Sequence, residues 1–561
     1  MAKKKPIPKP LPVPVPAPTP ALSPTRYLAS PWLAVALIML AAIRIVSTYP
    51  ETGLTWDEPG HMACGLQYLA QHVYRYEAQH PPLARMASAL GPFLDGVRPH
   101  NLNQQDHEGI AEMYGSGHPE RELNLMRLGI LPFFLLAAAS LYLWARRHFG
   151  GAVAVVSTAW FTLLPPVLAH AGLATTDMPV TGCLIAAFFA LLLWAEEPSW
   201  AHSLLLGVTT ALAVVTKFTS LRYLPAAALL ALAAWLLVER PGWDGVVGAA
   251  KPRALPFCAA VATGAICIWA VYSFSFGKVA GWGIRLPAPE LFEGIDSALH
   301  HNTKGHWAYL FGDVRTTGWW YFFPVVLAVK TPLAFLLLVA AGTWRCWRMR
   351  AKLVYCLPAA FWLGILLPAM TSNVNIGVRH ILPIYAGFSI VAAIALVELL
   401  EWSPGHRWTG FLAAALVMWM AASGALQHPN YIAYFNELAG SHPEKILVDS
   451  DLDWGQDSIR LARRLKELGA KQVNFTTLNQ TPDRLEVWPG FPPTKLINPI
   501  EPAEGWTAAG PTMWFVRQYG LEHRYPNLQP WFAYLQPVER VSSYYLYYVP
   551  PGSIPPGAKP Q

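Results

Sequence analysis

Two adjacent carboxylates, Asp57 and Glu58 in the run Trp56-Asp57-Glu58-Pro59, stand shortly after the first apolar segment, at the mouth of a long polar loop. A carboxylate pair at a bilayer surface is free of the salt bridges of a soluble core and can hold a metal, bind a sugar or take a proton. The other residues with chemical reach are His80 in His80-Pro81-Pro82-Leu83, Asp177 after Thr175-Thr176, Lys217, Arg222 and the pair Arg379-His380. A Lys or Arg at the end of a membrane span is well placed to hold a lipid phosphate, and a nearby carboxylate can then act on what that phosphate carries. A neutral His80 can orient a substrate hydroxyl, and Asp57, Glu58 and His80 are together the candidate ligands of a divalent metal ion.

Each residue has a plainer reading. Asp57 and Asp177 are suited to capping helix N-termini, the double proline after His80 suits a helix start, and Lys217 and Arg222 suit snorkelling to headgroups. The polar run Thr371-Ser372-Asn373-Val374-Asn375 before Arg379 points instead to a lined cavity, which Arg44, inside the first apolar segment, is expected to share.

The elements that must position these residues are membrane helices. Of 561 residues 54% are hydrophobic and 13% charged, against roughly 25% charged in a soluble protein. Apolar stretches near 31–49, 125–145, 151–170, 178–195, 202–220, 222–239, 254–275, 321–343, 353–371, 381–400 and 409–426 predict a mainly α polytopic protein of about eleven crossings. Lys and Arg cluster on alternate turns: Lys3, Lys4, Lys5, Lys9 and Arg26; Arg146 and Arg147; Arg240, Lys251 and Arg253; Arg345, Arg348, Arg350 and Lys352. Positive charge marks the cytoplasmic side. The loops 50–124 and 276–320, the turns bearing Asp177, Lys217, Arg222, Arg379 and His380, and the segment after 427 then all face the opposite, extracytoplasmic side.

The first 30 residues, basic and then proline-rich, read as a disordered cytoplasmic tail, and the apolar run after them as an uncleaved anchor. Six scattered cysteines without CxxC spacing suggest neither zinc nor disulfides. The net charge of +7 lies in the tail and the loops as orientation demands, so nucleic acid is not an expected partner. No G-x-x-x-x-G-K-[ST] or dinucleotide fingerprint is present. Beyond 427 the chain is less apolar. It holds the acidic run Asp449-Ser450-Asp451-Leu452-Asp453-Trp454-Gly455-Gln456-Asp457, a helical pattern over Ser458 to Leu468, and strand-like runs at Gln472 to Leu478, Thr512 to Arg517 and Tyr544 to Val549. A small extracytoplasmic α/β domain over 428–561, after a transmembrane domain over 31–427, is the expectation.

Taken together, Trp56-Asp57-Glu58, His80-Pro81-Pro82-Leu83, Thr176-Asp177-Met178-Pro179, Lys217-Phe218-Thr219 and Arg379-His380-Ile381-Leu382-Pro383 resemble the dolichyl-phosphate-mannose protein mannosyltransferases and their bacterial relatives, glycosyltransferases of family 39 within the C-type membrane fold, over residues 30 to 440. The resemblance implies transfer of a sugar, with inversion, from a polyprenyl-phosphate monosaccharide to an acceptor (protein, lipid or glycan) outside a bacterial plasma membrane. It implies that Asp57 is the general base or substrate-positioning carboxylate, Glu58 its neighbour, Asp177 the acid after span three, and Lys217 and Arg379 the holders of the donor phosphate. The chain departs from the family pattern after Pro82, where Leu83-Ala84-Arg85 replaces Leu-Gly-Lys, so the acceptor does not carry over. The rival functions are a transporter or flippase of a lipid-linked sugar, which needs a similar cavity but no bond cleavage, and an oligosaccharide-transferring enzyme of the same fold.

Overall fold

The computed structural model describes residues 24–74, 76–476, 485–486, 488, 490–497, 503–524 and 535–554. The expected tail lies outside these residues up to 23, while Pro24–Ala29 form a 3-10 helix leading into the first long helix.

Helix α1 (Pro31–Val46) starts on a proline, whose missing N–H costs nothing at that position. The loop that follows is largely helical: α2 (Glu58–Gln71), α3 (Pro82–Asp95), α4 (Gln105–Gly115) and α5 (Pro119–Leu128) fold over one end of the bundle. The bundle continues with α6 (Leu131–Phe149), α7 (Gly151–Leu163), α8 (Pro165–Ala171), α9 (Asp177–Glu196), α10 (Trp200–Thr216), α11 (Ser220–Glu239) and α12 (Trp243–Val271). After α13 (Pro289–Lys304) in the second large loop come α14 (Phe322–Lys330), α15 (Leu333–Arg348), α16 (Leu357–Ala369), α17 (Ile384–Trp402) and α18 (Arg407–Leu426). That second loop also carries two antiparallel hairpins, β1 (Phe276–Lys278) with β2 (Arg285–Pro287) and β3 (Ala308–Leu310) with β4 (Asp313–Arg315).

Among the described residues seven helices are long and apolar enough to cross a membrane, and nine crossings result if each of two bent pairs is one span. The bends are 66° between α7 and α8 and 118° between α14 and α15. Both fall at prolines, Pro165-Pro166 and Pro332, which supply no N–H to a continuing helix. The remaining two of the eleven expected segments hold the shorter apolar helices Trp200–Thr216 and Leu353–Ala369. The chain is a multi-pass helical membrane protein.

Helices α9 and α17 are the innermost: 72% and 78% of their apolar windows are buried, against 6% for α12 on the outside. Close packing of α17 depends on Gly342 in α15, where a Cβ would lie 1.8 Å from the carbonyl oxygen of Val391. The two inner helices position the site, since Asp177 begins α9 and Arg379 lies just before α17. At the other end of α9, roughly 30 Å away at the helical rise per residue, Glu196 pairs with Arg147 at 2.5 Å and His148 at 2.9 Å. Near the far end of α17, Glu398 pairs with Arg345 at 2.7 Å.

After α18 the chain turns back into the bundle. Tyr431, Ile432 and Trp454 share one continuous apolar core with the helices, so no break in packing falls at the expected boundary near 427. A five-stranded mixed sheet follows α19 (Ser458–Glu467), in the order β6-β5-β7-β9-β8, built from β5 (Val473–Thr476), β6 (Thr494–Leu496), β7 (Gly505–Ala509), β8 (Glu539–Val541) and β9 (Tyr544–Val549). Strand β5 runs parallel to β6 and β7, and β9 antiparallel to β7 and β8. The expected strand at Tyr544 to Val549 is β9, and that at Gln472 to Leu478 holds β5, which begins one residue later at Val473, while 477 and 478 lie outside the described residues. Thr512 to Arg517 is not a strand but part of a helix, Pro511–Arg524. A six-residue apolar run fits either structure by periodicity, and Pro511 at its head favours the helix.

Candidate active site

Four of the expected residues, contributed by four separate connections, form one chain of charges. Arg379 donates from Nη1 to Oδ2 of Asp57 at 2.6 Å, and the same nitrogen lies 3.8 Å from Oδ2 of Asp177. Lys217 donates from Nζ to Oδ1 of Asp177 at 2.5 Å, and the Thr175 hydroxyl donates to Oδ2 at 3.2 Å. The order Asp57, Arg379, Asp177, Lys217 alternates in sign, so each buried charge has an opposite neighbour.

Capping does not explain either acid. Asp57 stands at the N-cap of α2 but its side chain makes no capping hydrogen bond, and Asp177 lies inside α9 with Thr176 at the cap. Burial works to raise the Asp57 carboxyl, but Arg379 and then His61 outweigh it and hold the group below its usual range. With 27% of its side chain exposed, against 1% for Asp177, Asp57 is the open end of the chain.

Arg379 is held from a second side by the C-terminal segment. Its guanidinium carbon lies 4.1 Å from the centre of the Trp454 ring, a cation–π contact. Trp454 is fixed in turn by the first loop: its carbonyl accepts from the Trp56 N–H at 3.1 Å, and that of Gln456 accepts from the Gly53 N–H at 2.7 Å. The first loop and the tail segment therefore meet on one side of the bundle. Lys330, at the break between α14 and α15, donates to the backbone carbonyls of Ile432 at 2.7 Å and Asp451 at 2.5 Å, clamping that segment in place.

His380, beside Arg379, is held neutral, its pKa well below the ordinary value through burial and the positive charges of Lys217 and Arg379. His80 belongs to a neighbouring corner, where it pairs with Glu77 at 3.0 Å and its ring meets that of His61 edge-on at 5.5 Å. Arg85 closes this corner by pairing with Glu77 and donating from Nε to Nδ1 of His61 at 3.3 Å. His61 is pushed down to about 3 by burial, Arg85 and His80.

Four expectations require correction. Glu58 does not face the site: it is fully buried, Arg127 donates to both of its oxygens at 2.8 and 2.9 Å, and the N–H groups of Thr55 and Ala174 donate at 2.9 Å each. With that many donors its acceptor capacity is spent, and it is a structural clamp rather than a catalytic group. Arg222 points outward and donates to the Pro368 carbonyl at 2.6 Å and the Thr371 hydroxyl at 2.8 Å, tying α11 to the end of α16. Arg44 lines no part of the site and bonds the Gly424 carbonyl at 2.8 Å. The metal set Asp57, Glu58 and His80 falls with Glu58, and among the described residues no group of three His, Cys, Asp or Glu is arranged to hold a metal.

Sequence reasoning missed Arg127, Glu77, His61, Lys330 and the placement of the Asp449–Asp457 run against Arg379. Only the acidic density of that run signalled it.

Residues 123–251, less than a quarter of the chain, match the family model described as dolichyl-phosphate-mannose-protein mannosyltransferase. No curated protein matches the chain. Among solved structures, ArnT from Cupriavidus metallidurans bound to undecaprenyl phosphate is similar at 15% identity and TM-score 0.48, over 91% of this chain and 97% of that one. The archaeal oligosaccharyltransferase AglB from Archaeoglobus fulgidus, in complex with an inhibitory peptide and a dolichol-phosphate, is similar at 12% identity and TM-score 0.45, over 83% of this chain and 64% of that one. At those scores neither assigns a role to any residue. The family match stands on its own: between residues 123 and 251, the segment that includes Asp177 and Lys217, this multi-pass membrane protein matches the mannosyltransferase model that its motifs resemble.

Proposed function

We propose that this protein is a membrane glycosyltransferase that moves a sugar from a polyprenyl-phosphate monosaccharide to an acceptor on the extracytoplasmic side of a bacterial plasma membrane, with inversion. The observation that carries the reading is the alternating chain Asp57, Arg379, Asp177, Lys217. Each of its two cations has a carboxylate beside it in a buried, water-poor setting. Such a preformed cationic pair suits a leaving phosphate, whose charge grows as the sugar–phosphate bond breaks. Asp57, the most open member, touches the reacting groups either as the base that takes the acceptor proton or as the carboxylate that positions the substrate.

The distribution of charge supports this side of the membrane. Arg147 and Arg345 gather at the ends of α9 and α17 opposite the site, as expected for a cytoplasmic face. A flippase would use the same cations without cleavage, and its sugar would stay attached to its lipid. Incubating the purified protein with radiolabelled polyprenyl-phosphate sugars and membranes separates the two. Label in a protein, lipid or glycan acceptor supports transfer, and label that stays on the polyprenyl phosphate refutes it.

A further inference from the structure

The proposed reaction leaves open which carboxylate takes the acceptor's proton. The C-terminal acidic turn supplies a group that the motifs around Asp57 do not include, and the inference rests on the transferase reading.

Residues Asp449–Asp451 form a 3-10 turn pressed against the segment bearing Arg379. Asp451 accepts through Oδ1 from the Val378 N–H at 3.0 Å, and the Ser450 hydroxyl donates to the Ile376 carbonyl. A Cβ at Gly377 would lie 2.6 Å from the Ser450 hydroxyl, so only glycine lets the two segments approach this closely. Asp449 itself has φ +61, an uncommon conformation for a side-chain-bearing residue. Its backbone is held there by an N–H bond to the Thr512 hydroxyl at 2.8 Å and by bonds from the Leu452 and Asp453 N–H groups to its carbonyl, each 2.8 Å.

The acids of this run differ in what they have left to offer. Asp451 accepts from Val378 through one oxygen but is sealed in the interior, as is Asp453, and Asp457 is both buried and saturated by Asn430, Arg460, Gln456 and Ser543. Asp449 is half-buried, and among the described residues its carboxylate accepts only from the adjacent Ser450 N–H. Asp449 is near enough to Arg379 and Asp57 for their charges to act on it in opposite directions, with Asp451 and Asp453 on its own segment. The other side of Arg379 supports a ligand between them, because its Nε is buried and has no hydrogen-bond partner among the described residues.

We propose that Asp449 is the proton acceptor for the attacking group, and that Asp57 is the carboxylate that positions Arg379 and the substrate. The acceptor's O–H or N–H proton passes to the Asp449 carboxylate as its heteroatom bonds to the anomeric carbon. The bond from that carbon to the phosphate oxygen breaks, its electron pair leaves with the lipid phosphate onto Arg379 and Lys217, and the protonated Asp449 returns its proton to water. The division of labour fits the environments. Burial raises the Asp449 carboxyl to about 7, partly opposed by Arg379 and reinforced by Asp57, whereas Asp57 is kept ionised and therefore weakly basic by Arg379.

The test is the pH profile of kcat/KM with a polyprenyl-phosphate sugar in lipid nanodiscs, for the full-length protein and for Asp449→Asn, Asp449→Gly and Asp57→Asn. Asn and Gly are the residues that best tolerate positive φ, so both Asp449 variants keep the turn, and an unchanged melting temperature checks this. The expected wild-type profile rises with pH through about 7. Asp449→Asn is expected to lose about 10²- to 10⁴-fold and the rising limb, Asp449→Gly to regain rate with added formate, and Asp57→Asn to keep the limb at a lower plateau. A wild type that transfers while Asp449→Asn keeps both rate and limb overturns the role of Asp449 alone. A wild type that transfers from no polyprenyl-phosphate sugar overturns the functional reading and this role with it.

Discussion

Arg379 and Asp57, 322 positions apart, meet at 2.6 Å with the arginine side chain 92% buried, so each charge favours the ionised form of the other. The contact joins the turn before α17 to the start of α2. The same arginine lies within 3.8 Å of Asp177, which makes the four charged residues one electrical unit.

Unity of this kind has a measurable consequence at its inner end. Lys217→Met takes from Asp177 its nearer cation, Asp177→Asn leaves Lys217 without its carboxylate, and each is expected to cut transfer sharply. The double variant is expected to be no worse than the poorer single one, since residues in one ion-pair network couple by about 0.5–3 kcal/mol. Transfer rates of the three variants check this, and additive losses would mean that the two residues act separately.

The other buried pair is expected to report on folding instead. Glu58 and Arg127 are fully buried and bonded to each other and to the backbone of Thr52, Gly53, Thr55 and Ala174. Arg127→Ala leaves a carboxylate uncompensated in the interior, a change that costs about 3–5 kcal/mol. The expected result is a large fall in thermal midpoint and in folded yield, read by size-exclusion chromatography in detergent. A variant of normal stability but without activity would return Glu58 to the catalytic group.

A pH effect on stability is expected from Glu77. Burial works to raise its carboxyl, but His80 and Arg85 outweigh this and hold it far below its ordinary value of 4.5. A depressed carboxyl contributes stability that is fully present above the ordinary value and is lost as pH falls toward the folded value. Lowering the pH from about 5 to about 3 should therefore reduce the thermal midpoint of the wild type more than that of Glu77→Gln. Equal losses in both would show that the pair contributes nothing to acid stability.

Much of this arrangement was legible in the residues. Asp57, Asp177, Lys217 and Arg379 stood out because charge at the end of an apolar span is costly unless used, and alternation of basic turns placed them on one side. Glu58 misled because adjacency in sequence says nothing about direction. At the start of α2 successive side chains diverge, so Asp57 faces Arg379 while Glu58 turns into the packing toward Arg127. Arg127 and Lys330 were hidden for the same reason, as their roles depend on carbonyls contributed by distant segments. The acidic run at 449–457 was visible as composition, but its seat beneath Arg379 comes from contacts across more than seventy residues, which no local pattern encodes.

The most direct test of the functional proposal is transfer by Asp57→Asn, a substitution that keeps the shape and the hydrogen-bond acceptor at this half-open position but removes its charge. With a labelled polyprenyl-phosphate sugar, the wild type should label an acceptor and the variant should lose at least about a hundredfold in rate at unchanged thermal midpoint and folded yield. Normal turnover by the variant would contradict the assignment of the reaction to the Asp57–Arg379 pair.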